Sequence, residues 1–134
     1  MTVPFIVPAY AGILALIYVI LALRVTRLRG LARVGIGSGG DAWLERAIRA
    51  HANWAEYVPL ALILLGFMEM QRNSAYLLHI LSIALILGRL IHAVNISREG
   101  ENGSIRVLAM TLTFAVLIIA AIILIIDYFR IAAL

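Results

Sequence analysis

Five side chains suited to binding a charged ligand lie close together in the second quarter of the sequence. They are Arg46, Arg49, Asn53, Glu56 and Tyr57, and we refer to them as the polar stripe. Because successive residues of an α-helix are rotated by about 100°, these five fall within an arc of roughly 100° on one helix face. Glu56 is the only acidic residue in this arc, so the stripe carries an excess of positive charge and is predicted to bind an anion.

Apolar sequence follows the polar stripe, and this leaves two interpretations open. Ionisable side chains at membrane depth cost about 2.5 to 3.5 kcal/mol each, so they need partners inside the protein or a wet cavity. In the first interpretation, Arg49, Asn53 and Glu56 pair with one another and with neighbouring helices as structural hydrogen bonds. In the second, the stripe faces a bound polar ligand. Arg46 and Arg49 repel each other, which disfavours internal pairing and supports the interpretation with a bound ligand.

The overall composition is that of a protein whose main solvent is lipid. Of 134 residues, 64% are hydrophobic and 13% are charged, and the mean hydropathy is +1.05. Soluble domains are roughly half apolar and a quarter charged. The net charge of +4 comes from arginines clustered beside apolar runs, so we expect membrane lipids around the chain and no nucleic acid as a partner.

Cysteine and histidine usage excludes two other kinds of site. The sequence has no cysteine, which excludes disulfides, thiolate metal sites and a cysteine nucleophile, so any thiol must come from a ligand. His79 and His92 are 13 positions apart, which is about 20 Å on a straight helix and too far for them to share a metal. No metal site is predicted.

Four apolar segments are predicted to form the helices that position the stripe. They cover residues 3–23, 42–70, 75–94 and 105–128, and each is long enough for a bilayer crossing, which takes about 20 residues. A glycine-rich connection precedes Asp41, which is predicted to cap the second helix. The sequence therefore predicts a single all-α domain over residues 1–134, an integral membrane four-helix bundle.

The arginine-rich connections predict how the chain is oriented in the membrane. Arginines in short loops mark the cytoplasmic side of a membrane protein. Residues 24–49 and 89–106 hold most of the arginines, so both segments are predicted to be cytoplasmic. With four crossings, both termini then lie on the opposite side, which in a bacterial inner membrane is periplasmic.

The polar stripe is part of a longer pattern that resembles a family signature. The pattern is Arg-x-x-Arg-Ala-x-x-Asn-x-x-Glu-Tyr-x-Pro, carried by Arg46, Arg49, Ala50, Asn53, Glu56, Tyr57 and Pro59. It lies on the second of four predicted helices, and Gly88-Arg89-Leu90 follows near the end of the third. In these features the chain resembles the MAPEG family, the membrane-associated proteins of eicosanoid and glutathione metabolism, along nearly its whole length.

This resemblance implies a homotrimer that binds glutathione between adjacent subunits near the cytoplasmic face. The glutathione-binding residues that it implies are Arg46, Arg49, Asn53, Glu56, Tyr57 and Arg89. Arg106, at the start of the fourth helix, is implied as the catalytic residue that stabilises the thiolate. Glutathione carries a charge of about −1 at neutral pH, which suits a stripe where Arg49 can bind a carboxylate and Glu56 an ammonium group.

Two departures from the family pattern narrow the expected activity. His92 and Ile96 stand about where eicosanoid-forming members supply tyrosines, and the connection from Arg89 to Arg106 is a few residues longer. Both features resemble the short bacterial branch of the family, so eicosanoid synthesis is not expected.

The leading hypothesis is a glutathione-dependent membrane transferase or peroxidase that acts on small lipophilic electrophiles. The alternative is a non-catalytic membrane protein that binds glutathione, lipid or a partner. A channel ranks last, because the polar residues gather near one membrane face and form no continuous path.

Overall fold

The computed structural model describes residues 3–133, so residues 1, 2 and 134 of the predicted domain lie outside the described residues. Its four helices are α1 (Ile6–Ala32), α2 (Ala42–Met70), α3 (Ala75–Ile96) and α4 (Gly103–Ala132). No strand occurs in the part of the chain that is described. The predicted all-α architecture is confirmed.

The four helices are arranged around a central pair, α2 and α3, which pack against each other. α1 packs against both of them, and α4 also packs against both, whereas α1 and α4 do not pack together. The outer faces of α1 and α4 expose many large aliphatic side chains. α2 therefore has helical neighbours on several sides, while the flanking helices present apolar surface to their surroundings.

Three of the described helices, α1, α3 and α4, are long and apolar enough to cross a membrane. α2 has 29 residues, but its first half carries the polar stripe and lowers its mean hydropathy. The chain is thus an all-α membrane bundle. A fourth crossing by α2 and the placement of both termini on the periplasmic side stay predictions.

The helix ends differ from the predicted ends where arginines follow an apolar run. α2 spans the predicted residues, but α1 begins at Ile6 rather than at residue 3 and continues beyond Leu23 to Ala32. The residues after Leu23 include several arginines, and arginine is a good helix former. The helix therefore extends past the end of the apolar run. It ends where Arg33 adopts a left-handed conformation (φ 55°). α3 and α4 are likewise longer than predicted: α3 continues to Ile96, and α4 begins at Gly103, where Asn102 caps it, and continues to Ala132.

Small side chains bring α3 and α4 close together. Ala109 of α4 is fully buried, and Gly88 of α3 lies directly against it. A Cβ atom at Gly88 would be 3.0 Å from the Ala109 carbonyl oxygen and 3.1 Å from Thr113 Oγ1. Small residues commonly permit such close approach between membrane helices, so Gly88 sets the spacing of this pair.

A buried carboxylate ties the end of α2 to the start of α1. Glu69, only 8% exposed, accepts hydrogen bonds from the backbone N–H groups of Phe5, Ile6 and Val7 at 2.5 to 2.8 Å. The first N–H groups of a helix have no partner within the helix, and an anion is favourable there. We call this arrangement the Glu69 clasp; it fixes α1 lengthwise against α2.

Candidate functional site

The first half of α2 presents the polar stripe because the helix begins at a well-capped residue. Asp41 Oδ1 accepts a hydrogen bond from the Leu44 backbone N–H at 2.8 Å, which satisfies one of the free donors of the first turn. This confirms the predicted cap. Leu44, Ala47 and Ala50 are buried against the bundle, so the stripe is left on the neighbouring, more exposed face.

Part of the polar stripe opens onto a groove between α2, α3 and α4. The groove has a volume of about 530 Å³. Its lining includes Arg49 and Asn53 of α2, His92 of α3, and Arg106, Met110 and Phe114 of α4; we call it the arginine groove. The three helices thus bring the predicted catalytic residue, Arg106, together with two predicted glutathione-binding residues.

A recess of about 350 Å³ continues from the arginine groove and shares Arg49 and Arg106 with it. It adds Glu45, Arg46 and Glu101 to the lining. The recess therefore contains three guanidinium groups and two carboxylates. The excess positive charge expected from the sequence persists there, although acidic residues outside the predicted arc reduce it.

Both groove arginines form ion pairs with these carboxylates. Arg106 Nη1 lies 2.7 Å from Glu101 Oε1, and Arg49 Nε lies 3.6 Å from Glu45 Oε1. The arginine side chains are 48% and 64% exposed, respectively. The Arg49–Glu45 pair is exposed on both sides and contributes about 0.2 to 1 kcal/mol, so a ligand anion can replace Glu45 at little cost. Glu101 is only 29% exposed, so its pair with Arg106 is the stronger of the two.

The connection between α3 and α4 holds Glu101 and Arg106 in place. Asn95 donates its Nδ2 to the Asn102 carbonyl oxygen at 3.0 Å and accepts the Asn102 backbone N–H at 3.1 Å. Asn102 in turn caps α4 by accepting the Ser104 backbone N–H at 2.9 Å. A buried asparagine in α3 therefore fixes where α4 begins, and with it the position of Arg106.

Arg46 links α2 to the end of α3. Its Nη1 donates to the Ile96 carbonyl oxygen at 3.3 Å, and Ile96 is the last residue of α3. The last carbonyl groups of a helix have no partner within the helix and attract cations. Arg46 thus lies beside the arginine groove, with one of its donors used for packing the bundle.

Arg89 lies behind the groove and joins three helices. It is 1% exposed, and its Nε donates to Thr113 Oγ1 at 2.9 Å. Its Nη2 is 3.0 Å from Met110 Sδ, its Nη1 is 3.4 Å from the Asn53 carbonyl oxygen, and its guanidinium carbon lies 5.1 Å from the centre of the Tyr57 ring. These contacts use its donors inside the bundle, which indicates a supporting position.

The last two members of the predicted site lie at the margin of the groove. Tyr57 is half-buried and makes an edge-to-face contact with Phe114, with ring centres 5.7 Å apart. Glu56 is exposed on α2, outside the groove lining, and within residues 3–133 it forms no ion pair or hydrogen bond. Of the seven predicted residues, the groove thus collects Arg49, Asn53 and Arg106 directly.

Comparison with known proteins agrees with this architecture. The sequence model of the MAPEG family matches residues 7–126, which include all of α2 and α3 and the whole arginine groove. The chain belongs to the MAPEG family. This confirms the resemblance noted in the sequence, and MAPEG proteins include glutathione transferases and peroxidases.

Two curated relatives of this MAPEG chain are similar over a shorter region. Both are described as inner membrane protein YecN, one from Escherichia coli strain K12 and the other from Escherichia coli O6:H1 strain CFT073. Each is 43% identical over 83 residues, which is 62% of this chain and 63% of the relative. The match thus spans less than two thirds of either curated relative. Among solved structures, none matches the chain significantly.

Sequence reasoning identified Arg106 but missed the other α4 residues that line the groove of this MAPEG chain. Met110 and Phe114 lie on the same face of α4 as Arg106 because they follow it at intervals of four. Their spacing is a signal, but the surrounding aliphatic run conceals it. Within residues 3–133, no cluster of three or more histidine and acidic side chains suits a metal ion.

Proposed function

We propose that this MAPEG protein is a glutathione-dependent transferase or peroxidase that acts on small lipophilic electrophiles. The observation that carries the proposal is the arginine groove, where Arg49 and Asn53 of α2 share one open polar cleft with Arg106 of α4. Glutathione is the proposed co-substrate. The sulphur of the bound tripeptide attacks the electrophile, and no metal is invoked.

Each groove residue has a role that suits the charges of glutathione. Arg49 binds a carboxylate through two parallel N–H donors, and Asn53 supplies both a donor and an acceptor to the peptide amides. Arg106 stabilises the thiolate, because a guanidinium beside a thiol favours its charged form. Ligand carboxylate and thiolate groups then take the places of the Glu45 and Glu101 carboxylates.

The electrophile reaches the groove from the lipid. Phe114 and Val107 line the groove and are also exposed on the outer side of α4. An apolar substrate dissolved in the bilayer therefore meets apolar side chains before it meets the arginines. This arrangement supports the choice of a lipophilic substrate over a water-soluble one.

A homotrimer in the bacterial inner membrane is part of the proposal. The groove is open and Glu56 is exposed on one of the helices that form it. We propose that a neighbouring subunit encloses the ligand and brings its ammonium group to Glu56. The inner-membrane location is extended from the description of the Escherichia coli relatives.

One observation favours a second candidate, a protein that binds glutathione or a lipid without catalysis. Arg106 already forms a 2.7 Å ion pair with Glu101, and a carboxylate in this place competes with a thiolate. In this alternative the groove holds an anionic guest, and Arg106 has a structural role.

Calorimetry and turnover of the purified protein in detergent separate the two candidates. Glutathione should bind, and an activated aryl chloride or a lipid hydroperoxide should be consumed. Arg49→Gln should weaken binding by about tenfold to a hundredfold, as expected for a lost charged hydrogen bond. Arg106→Gln should retain binding but lower turnover and the thiolate absorbance of bound glutathione.

The control is Arg130→Gln, which removes an exposed arginine whose pair with Asp127 has a 4.0 Å separation. It should leave binding and turnover unchanged. Binding without turnover of either substrate would support the non-catalytic candidate. No binding of glutathione at millimolar concentration would refute both the enzyme and the non-catalytic glutathione-binding protein.

A further inference from the structure

His92, in the arginine groove, has no hydrogen-bond partner for its ring among residues 3–133. His92 is 4% exposed and lines the groove together with Asn53 and Arg106. Across residues 3–133, neither of its ring nitrogens takes part in a hydrogen bond. Because no protein group uses these nitrogens, they remain free to hydrogen bond with a ligand in the groove.

The ring nitrogens of His92 are accessible from the groove. In the described part of the chain, the side-chain polar atoms that have neither a hydrogen-bond partner nor solvent exposure belong to Trp54, Ser82 and Glu101. His92 is not among them, so its nitrogens keep some exposure although the side chain as a whole is buried. Because the groove is the open space beside the ring, the imidazole can contact a guest there.

Charged groups on α3, on α4 and in the connection between them act on this imidazole. They are Arg89, one turn earlier on α3, Arg106 of α4, which lines the same groove, and Glu101 of the connection. Across the groove, α2 contributes Arg49. The guanidinium groups of Arg89 and Arg106 favour a thiolate in the groove and keep the free imidazole neutral, as a proton acceptor must be. The Glu101 carboxylate and the newly formed thiolate offset their repulsion of the imidazolium.

We propose that His92 is a catalytic residue that accepts the thiol proton of bound glutathione, an inference that rests on the proposed function. Its neutral ring nitrogen takes the proton as the S–H bond breaks, and the electron pair of that bond stays on sulphur. With an aryl chloride, the sulphur then forms a C–S bond and chloride leaves with the C–Cl electron pair. The imidazolium finally returns the proton to water.

Arg106 and His92 thus divide the activation of the thiol. Arg106 stabilises the negative charge on sulphur, whereas His92 receives the proton that sulphur loses. A ligand without the S–H bond can use neither role, because its sulphur loses no proton and gains no negative charge. S-methylglutathione keeps the carboxylates and the ammonium group but has no thiol proton, so it separates binding of the tripeptide from activation of its thiol.

Magnetic resonance of histidine side chains tests the proton transfer in the wild-type protein. The chain has three histidines, and the His92 signal is the one that remains after the other two are assigned from their loss in His51→Gln and His79→Gln. Glutathione should move the His92 signal toward the imidazolium position, and S-methylglutathione should not. The signals of His51 and His79 should stay in place. Equal responses of His92 to both ligands would overturn the proposal.

Kinetics provide a second test with a variant that keeps hydrogen bonding but cannot carry the proton. His92→Gln should lower kcat/KM for the aryl chloride by about a hundredfold, while the affinity for S-methylglutathione changes by less than about threefold. The control is His51→Gln; His51 stacks on Tyr18 with ring centres 4.7 Å apart and lies outside the groove. It should leave both quantities unchanged.

The outcomes distinguish this inference from the proposed function. If the wild type turns over and His92→Gln turns over at a similar rate, His92 is not the proton acceptor and the glutathione activity stands. If the wild type binds no glutathione, the proposed function itself fails. If His92→Gln does not fold, the magnetic resonance comparison in the wild type decides.

Discussion

Replacing Gly88 with alanine tests whether the close contact between α3 and α4 supports the candidate site. The added Cβ would lie 3.0 Å from the Ala109 carbonyl oxygen and 3.1 Å from Thr113 Oγ1. The first of these atoms belongs to the α4 backbone, so the helices must separate. Overpacking of this kind costs about 1 to 3 kcal/mol, against which alanine regains at most about 1 kcal/mol of helix propensity.

Separation of the two helices would also weaken a buried hydrogen bond. Arg89 follows Gly88 directly and donates to Thr113 Oγ1 at 2.9 Å, and a charged bond of this kind contributes about 1.5 to 3 kcal/mol. We therefore expect Gly88→Ala to lower the free energy of unfolding by about 1 to 4 kcal/mol. Glutathione binding should weaken as well, because Arg89 supports the groove from behind.

The assay is unfolding by a denaturing detergent, followed by circular dichroism, with Gly66→Ala as the matched control. A Cβ atom at Gly66 would meet no atom within 4 Å, so this variant gains the same helix propensity without the clash. It should be as stable as the wild type or slightly more stable. If Gly88→Ala matched Gly66→Ala in stability, the inferred closeness of α3 and α4 would be refuted.

Two further substitutions test buried polar contacts. Glu69→Gln should lower the free energy of unfolding by about 2 to 3 kcal/mol, because an amide cannot accept all the N–H bonds of the Glu69 clasp and carries no charge for the helix end. Glu99→Gln, at an exposed position, should have no effect in the same detergent unfolding assay. Thr113→Val keeps the side-chain shape but leaves the Arg89 Nε donor unpaired, so it should cost about 1.5 to 3 kcal/mol, whereas Thr111→Val, exposed on the same helix, should cost much less. Equal stabilities within either pair would contradict the corresponding contact.

The helices were predictable because apolar runs and capping residues are local signals. α2 occupies the predicted residues, with Asp41 as its cap. The end of α1 was not predictable from hydropathy, since the bilayer limits the apolar run at Leu23 but not the helix itself. The arginines after Leu23 have high helix propensity and continue the helix, which ends at the glycine-rich connection.

The candidate site was predictable only as far as one helix face can specify it. The periodicity of α2 placed Arg49 and Asn53 on a common face, and both line the groove. Whether Arg89 faces the groove or the interior depends on the spacing of α3 and α4, which no single helix determines. The pairing of Arg106 with Glu101 depends likewise on the loop between these helices.

The Glu69 clasp has a consequence for the opposite end of the α1 and α2 hairpin. Since a polar contact far from the loop already prevents these helices from sliding past each other, the segment that joins them need not set their alignment. Residues 34–40, between Arg33 at the end of α1 and the Asp41 cap of α2, can therefore change in length and sequence without altering which side chains of the two helices meet. A loop of this kind is free to diverge among relatives while the helical scaffold beneath it stays constant.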